Sequence, residues 1–281
     1  MNSSTSLRLL VYTAASVAIV AGVILFAAAY AGAVELPRAI ELGPVSIRLY
    51  AIIIMTGVGV SAWLLSRHAQ YHPELTGFRV DDALLWAVVP AIIGARLWHF
   101  VAEYPLYAED PITVLYIWQG GVTILGAIAG GALGAVIYAR RQGLPALKLL
   151  ELAFVFVPLA QIIGRFGNFV NQELYGPQTD LPWGVYISDT GMRHHPAFLY
   201  EQIGNAILFY ILYRIYRRYG LEGNGRLVAS YLLGYAAVRF TVDLVRLDRK
   251  IAFGLTSPQL TAVIIAVAAG LYLIRLRVHH D

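Results

Sequence analysis

Residues 164–176 carry the side-chain types that chemistry inside a membrane would need. The stretch reads Gly-Arg-Phe-Gly-Asn-Phe-Val-Asn-Gln-Glu-Leu-Tyr-Gly and follows an apolar segment. An arginine near the centre of a membrane helix costs about 2.5–3.5 kcal/mol on insertion scales, so it usually faces a protein interior or a water-filled cavity. The structural alternative is a helix end that places Arg165 among lipid headgroups. We treat the 164–176 stretch as a candidate site.

Two further arginines, Arg96 and Arg239, also interrupt apolar segments. Tyr235, Arg239 and Asp243 are spaced four residues apart and therefore lie on one helix face. An ion pair inside the membrane would explain Arg239 and Asp243 alone, whereas the added tyrosine is more typical of a cavity wall. His99 follows Arg96 by three residues and shares its helix face.

The composition indicates that membrane helices position these side chains. The 281 residues are 58% hydrophobic and only 14% charged, while soluble domains average about 25% charged residues. Most of the apolar runs approach the ~20 residues that a membrane span needs. The sequence predicts an all-α, polytopic membrane helix bundle of seven to eight spans, with a small extracytoplasmic cap at residues 177–196. The runs lie at 9–34, 47–66, 83–102, 112–138, 149–164, 197–213, 227–245 and 258–274.

Glycine and proline interrupt two of these runs. Gly120-Gly121 lies in the run 112–138 and Pro158 in the run 149–164, so we expect broken or re-entrant helices at both places. The glycines that follow residue 121 favour close helix packing. They are Gly126, Gly130, Gly131 and Gly134.

The distribution of lysine and arginine predicts the orientation. With a cytoplasmic N-terminus and eight spans, 12 basic residues fall in inside segments and 6 in outside segments, with Arg96, Arg165 and Arg239 assigned to the membrane. This topology places the loop after Glu173 outside. We expect residues 1–34 to form an uncleaved N-terminal span ahead of a membrane core at residues 35–281, because their apolar region is longer than the core of a signal peptide. A signal segment cleaved near Ala31-Gly32-Ala33 is the alternative.

Several other functions lack sequence support. Cysteine is absent, which excludes disulfides, thiolate metal sites and a cysteine nucleophile. The pI is near 9.2, but the basic residues are spread over short loops, which favours the anionic membrane surface over nucleic acid. His194 and His195 have no further ligand at metal-site spacing. The sequence therefore predicts no metal, no cofactor and no nucleic-acid partner.

Taken together, these residues resemble the bacterial phosphatidylglycerol–prolipoprotein diacylglyceryl transferase family. The 164–176 stretch is similar to the family signature almost position for position. The resemblance implies an enzyme of the bacterial inner membrane that transfers the diacylglyceryl group of phosphatidylglycerol to the lipobox cysteine of prolipoproteins. Supporting matches in family order are Gly43-Pro44 with Tyr50, Gly94 with Arg96, Trp118 with Gly120-Gly121, His195-Pro196 with Tyr200-Glu201, and Tyr235 with Arg239 and Asp243.

The implied chemistry assigns roles to the polar residues. Glycerol phosphate leaves with negative charge, and the planar fork of arginine suits a phosphate. Arg165 and Arg239 are therefore the catalytic candidates, with His99 as a candidate base. The predicted substrate-binding residues are Arg165, Tyr50, Arg96, Asn168, Asn171, Glu173, Gly176, Tyr235 and Asp243.

One position departs from the family pattern. Members usually carry a histidine five residues after the start of the Gly-Gly pair, and here Leu125 occupies that place. Either that histidine is dispensable, or another group replaces it, or the chain is an inactive relative that binds lipid or precursor. A lipid or anion transporter is a further alternative. The substrate thiol must lose its proton before it attacks. We favour a cavity made positive by arginines over His99 for this step, because such a cavity lowers the pKa of the thiol and needs no base.

Overall fold

The computed structural model describes residue 16 and residues 20–43, 45–116, 120–246 and 250–278. Part of the predicted first span lies outside the described residues. So do Pro44 and Trp118, which contribute to the resemblance, and Arg8 and Arg249, which enter the charge count.

Eight α-helices and three short antiparallel hairpins make up the part of the chain that the structure describes. The helices are α1 (Val20–Ala31), α2 (Leu49–Ala69), α3 (Val80–Ala102), α4 (Ile124–Arg141), α5 (Ala146–Asn171), α6 (Ala197–Tyr219), α7 (Arg226–Asp243) and α8 (Ser257–Val278). The hairpins pair β1 (Ala39–Leu42) with β2 (Val45–Arg48), β3 (Val185–Ile187) with β4 (Met192–His194), and β5 (Lys250–Ala252) with β6 (Leu255–Thr256).

Five of these helices are long and apolar enough to cross a membrane, namely α2, α3, α4, α5 and α8. Helices α6 and α7 have 23 and 18 residues and carry buried polar side chains such as Glu201 and Asp243. The protein is thus an all-α membrane bundle, as the composition predicts.

The break predicted in the run 112–138 is confirmed. Residues Pro111–Leu115 form a 3-10 turn, and α4 begins only at Ile124. Gly120 and Gly121 between them have φ angles of +90° and +71°, a conformation that glycine adopts without steric strain. The break predicted at Pro158 is wrong, because α5 is one continuous helix of 26 residues that contains Pro158. Membrane helices tolerate such a proline where neighbouring groups compensate the lost backbone hydrogen bond.

Glycines let α3 and α4 approach each other closely. A Cβ atom added at Gly130 would collide with the backbone carbonyl of Pro90, and one at Gly126 would collide with the backbone of Gly94. The packing role predicted for the α4 glycines is therefore confirmed at these positions.

Helix α5 is the central element, since it packs against α2, α4, α6 and α7. One apolar core surrounds its first half and contains Leu152, Val155 and Leu212. A smaller core at its other end joins Phe169 to the cap, residues 177–196, through Val185 and Ile187. The end of the bundle that carries this cap is called the cap end below.

Candidate functional site

The 164–176 stretch begins inside α5 and ends in the turn that leaves it. Residues up to Asn171 are helical, while Gln172 and Leu174 have φ angles of +53° and +58°. The Glu173 amide donates to the Asn168 carbonyl at 3.0 Å and closes the turn. Arg165 lies six residues before the helix end, which is about 9 Å along the axis.

The Arg165 side chain bonds within the protein and is only 18% exposed. Its Nη1 donates to Asn168 Oδ1 at 2.9 Å, and its Nη2 donates to Glu201. Arg165 is therefore an interior residue of the α5–α6 interface and does not reach toward headgroups at a helix end.

Glu201 joins two arginines that come from different helices. Its side chain is 2% exposed, and its Oε2 lies 3.9 Å from Arg239 Nη1 while its Oε1 accepts from Arg165. We call Arg165, Glu201 and Arg239 the arginine cluster. The sequence analysis names Glu201 only as part of the family match with Tyr200 and gives it no role in the site, so its central place was missed.

The face of α7 that carries Tyr235, Arg239 and Asp243 adjoins this cluster. Arg239 Nη2 lies 3.1 Å from Asp243 Oδ1, so the predicted contact between them is confirmed. Asp243 also accepts from the Thr256 hydroxyl, and Arg246 Nε lies 3.8 Å from it. Tyr235 lies within electrostatic range of both arginines of the cluster. Arg246 was missed as a site residue, although it follows Asp243 by three residues and thus shares its face.

Tyr50 and Asn168 complete the side of the site formed by α2 and α5. The Tyr50 ring packs on Gly167, where an added Cβ would lie 2.5 Å from the ring. Asn168 is 2% exposed, and its Nδ2 donates to Glu173 Oε1 at 2.8 Å. Because its Oδ1 accepts from Arg165, Asn168 connects the arginine cluster to Glu173.

Two predicted residues lie where the site meets the cap. Asn171 is the half-buried last residue of α5. Gly176 is buried, its amide donates to the His195 carbonyl at 2.8 Å, and an added Cβ would collide with the Val245 carbonyl. His194 Nδ1 lies 2.8 Å from the Gly176 carbonyl oxygen. Gly176 therefore holds the turn against the cap.

Arg96 and His99 make their contacts elsewhere, around the broken segment before α4. Arg96 donates to the carbonyls of Val114 at 2.7 Å and Gly121 at 2.8 Å, and also to those of Thr113, Tyr116 and Gly120. His99 Nδ1 lies 2.7 Å from the Tyr107 hydroxyl. Arg96 thus orders the glycine break, whereas the arginine cluster is built from α5, α6 and α7.

Leu125 lies in the first turn of α4 and is half-buried. It packs against the apolar core of the first half of α5. An apolar residue suits this environment.

Comparisons with known proteins agree with this architecture. The family model described as prolipoprotein diacylglyceryl transferase matches residues 37–275. The chain is 40% identical over 243 residues to the phosphatidylglycerol–prolipoprotein diacylglyceryl transferase of Symbiobacterium thermophilum, covering 82% of this chain and 89% of that protein. It is 38% identical over 243 residues to the enzyme of the same name from Streptomyces griseus, covering 84% and 74%. The chain belongs to the prolipoprotein diacylglyceryl transferase family.

Proposed function

We propose that this membrane protein transfers the diacylglyceryl group of phosphatidylglycerol to the lipobox cysteine of prolipoproteins. The observation that carries the proposal is the convergence of Arg165 and Arg239 on Glu201 inside a membrane bundle. Two arginines held in a partly exposed interior position suit the phosphate of a lipid headgroup.

The reaction is a substitution at a glyceryl carbon. The cysteine sulfur attacks the carbon that carries the phosphate, so a carbon–sulfur bond forms while the carbon–oxygen bond breaks. The electron pair of the broken bond stays on the departing glycerol phosphate, and the thiol proton is released. The main task is thus to stabilise negative charge on phosphate in a low-dielectric site.

Each polar residue has a proposed role in this step. Arg165 and Arg239 bind the phosphate and stabilise its developing charge, and Glu201 holds both guanidinium groups in place. Tyr50 and Tyr235 line the headgroup site. Asn168, Asn171, Glu173, Gly176 and Asp243 shape the site and bind substrate.

Leu125 does not favour the alternatives. Its apolar side chain cannot accept a proton, but the proposed step needs charge stabilisation more than a base. Relatives that are 38–40% identical carry the name of the enzyme, which favours a transferase over an inactive lipid-binding relative or a transporter.

The direct test incubates the purified protein with phosphatidylglycerol and a lipobox peptide. We expect a thioether-linked diacylglyceryl peptide by mass spectrometry, together with released glycerol phosphate. A peptide with serine in place of the lipobox cysteine is the matched control and should remain unmodified. Binding of the lipid without any thioether product would instead support the inactive relative.

His99 provides a separate prediction about the thiol. If arginines lower the thiol pKa, His99→Phe should retain transfer within about tenfold, and the rise of the rate with pH should follow the substrate thiol. The measurement is the pH profile of kcat/KM, with Tyr107→Phe as a control that removes only the hydroxyl partner of His99. A folded His99→Phe variant that binds phosphatidylglycerol but fails to transfer would contradict the electrostatic account and favour His99 as the base.

We also propose a topology in the bacterial inner membrane. The N-terminus is cytoplasmic, the 172–196 segment is outside, and α6, α7 and an extra N-terminal helix in residues 1–34 bring the spans to eight. The family model begins at residue 37, which supports residues 1–34 as an addition to a core at 35–281. Helix α1 lies beside the cap end of α5, since Phe26 of α1 packs on Phe169 with ring centroids 4.9 Å apart.

Cysteine labelling tests this orientation, because the chain contains no cysteine. Asp189 has a 68% exposed side chain in the cap, and Gln142 is exposed beyond the opposite end of α5. In intact spheroplasts, an impermeant maleimide should label Asp189→Cys and should label Gln142→Cys only after lysis. The reverse pattern would invert the proposed topology.

A further inference from the structure

An apolar cavity lies between α2, α3, α4 and α5, in the half of the bundle away from the cap end. Its volume is about 230 Å³, and its walls include Phe78, Ala132, Phe154 and Val157. Every lining residue is aliphatic, alanine, glycine or phenylalanine. Apolar protein cavities of about 150 Å³ remain dry and bind benzene, so this cavity is large enough for part of a hydrocarbon chain.

Helix α5 connects the cavity to the arginine cluster along one side. Val157, Gln161 and Arg165 follow one another at intervals of four residues, so each lies one turn nearer the cap end. Val157 is about 12 Å from Arg165 along the helix axis. Half of a hydrocarbon layer is about 15 Å thick. The end of the cavity at Val157 therefore lies at the depth that the acyl chain of a lipid would reach if its phosphate bound at Arg165.

Part of the space between the two sites is open on this side of α5. A Cβ added at Gly164, seven residues after Val157, would meet only Ile54 among the described residues, at 3.9 Å. At Gly57 an added Cβ would lie 2.9 Å from the Ala160 carbonyl oxygen, so the adjacent α2–α5 contact is closed. An acyl chain therefore has room beside Gly164 on this side of α5.

Helix α4 supplies an apolar wall toward the same passage. Ile128 lines the cavity, and Leu125 lies one turn nearer the start of α4 and packs against the same core. A hydrocarbon chain can contact Leu125 and Ile128 without meeting a polar side chain on α4, and burying a polar group that has no hydrogen-bond partner would cost free energy.

We propose that this cavity holds the terminal part of one acyl chain of the phospholipid whose phosphate binds at Arg165. The depth of the cavity then sets the acyl-chain length that the enzyme uses. This inference rests on the proposed transferase function and adds to it the site that selects the lipid tail.

The test compares diacylglyceryl transfer from dipalmitoyl- and dioctanoyl-phosphatidylglycerol in the same enzyme preparation. Ala132→Phe projects a ring into the cavity, and we expect the ratio of kcat/KM for the long-chain over the short-chain lipid to fall about tenfold, since each buried methylene contributes to binding. Ala129→Phe is the matched control, because Ala129 is exposed on the same helix and does not line the cavity. Its ratio should equal that of the unmodified protein.

The ratio also separates the inference from other failures. Loss of folded enzyme cancels, because both rates come from one preparation, and Ala132→Leu supplies a smaller substitution if Ala132→Phe does not fold. An unchanged ratio in the substituted enzymes, including an equal loss with both lipids, would overturn the acyl-chain assignment while leaving the transferase intact. No product from the unmodified protein with either lipid would overturn the transferase function itself.

Discussion

Arg165→Ala should lower kcat for diacylglyceryl transfer by about 10²–10³, the effect of removing one preorganised donor from a developing negative charge. Arg165→Lys keeps the positive charge but should still lower kcat by about tenfold or more. The structure gives the reason, because the two terminal nitrogens of Arg165 bond Asn168 and Glu201 at the same time. The single ammonium group of lysine, on a flexible side chain, cannot make this pair of hydrogen bonds in the same fixed geometry. Rates measured with the lipobox peptide at saturating phosphatidylglycerol give both values.

Arg275→Lys and Arg275→Ala are the matched controls, because Arg275 is exposed in the last turn of α8. Both should retain the activity of the unmodified protein. If Arg165→Lys and Arg165→Ala were as active as these controls, Arg165 would have no part in phosphate binding.

Glu201→Gln should destabilise the protein and impair transfer together. It leaves two arginines, whose side chains are 18% and 15% exposed, without their shared negative charge. Removing one partner of a buried ion pair costs about 3–5 kcal/mol, since the remaining charge is uncompensated. We therefore expect the midpoint of thermal unfolding in detergent to fall by about 10 °C. Transfer should fall even well below the new midpoint, because the arginines lose their fixed positions.

Two controls isolate this role of Glu201. Glu103→Gln makes the same chemical change at an exposed position and should leave stability and rate unchanged. Glu201→Asp keeps the charge on a shorter side chain and should recover part of the stability. If phosphatidylglycerol bound near Arg165 and Arg239 with undiminished affinity in a Glu201→Gln variant of normal stability, Glu201 would not position them.

Part of the candidate site followed from sequence because it depends on local spacing. Tyr235, Arg239 and Asp243 share a face in any α-helix, and the contact between Arg239 and Asp243 is found at 3.1 Å. Arg165 was singled out because an arginine in an apolar segment is costly unless it has a partner. Its partner was not predictable in the same way, since Glu201 lies 36 residues further along the chain.

The roles of Arg96 and Pro158 depended on the fold. Arg96 resembles Arg165 as an arginine within an apolar run, yet its donors go to backbone carbonyls such as those of Val114 and Gly121. Only the path of the broken segment before α4 brings these carbonyls within reach. Pro158 has the sequence signature of a helix break, but the packed interior of the bundle supports a continuous α5.

Length, hydropathy and helical periodicity act locally, so they are enough to predict a helical membrane protein with an arginine-bearing candidate site near the end of α5. Local patterns do not predict that Glu201 joins Arg165 to Arg239, or that an apolar cavity lies in the half of the bundle away from the cap end. Both features form where side chains from different helices meet. Such contacts depend on the packing of α2 to α7, which no local spacing specifies.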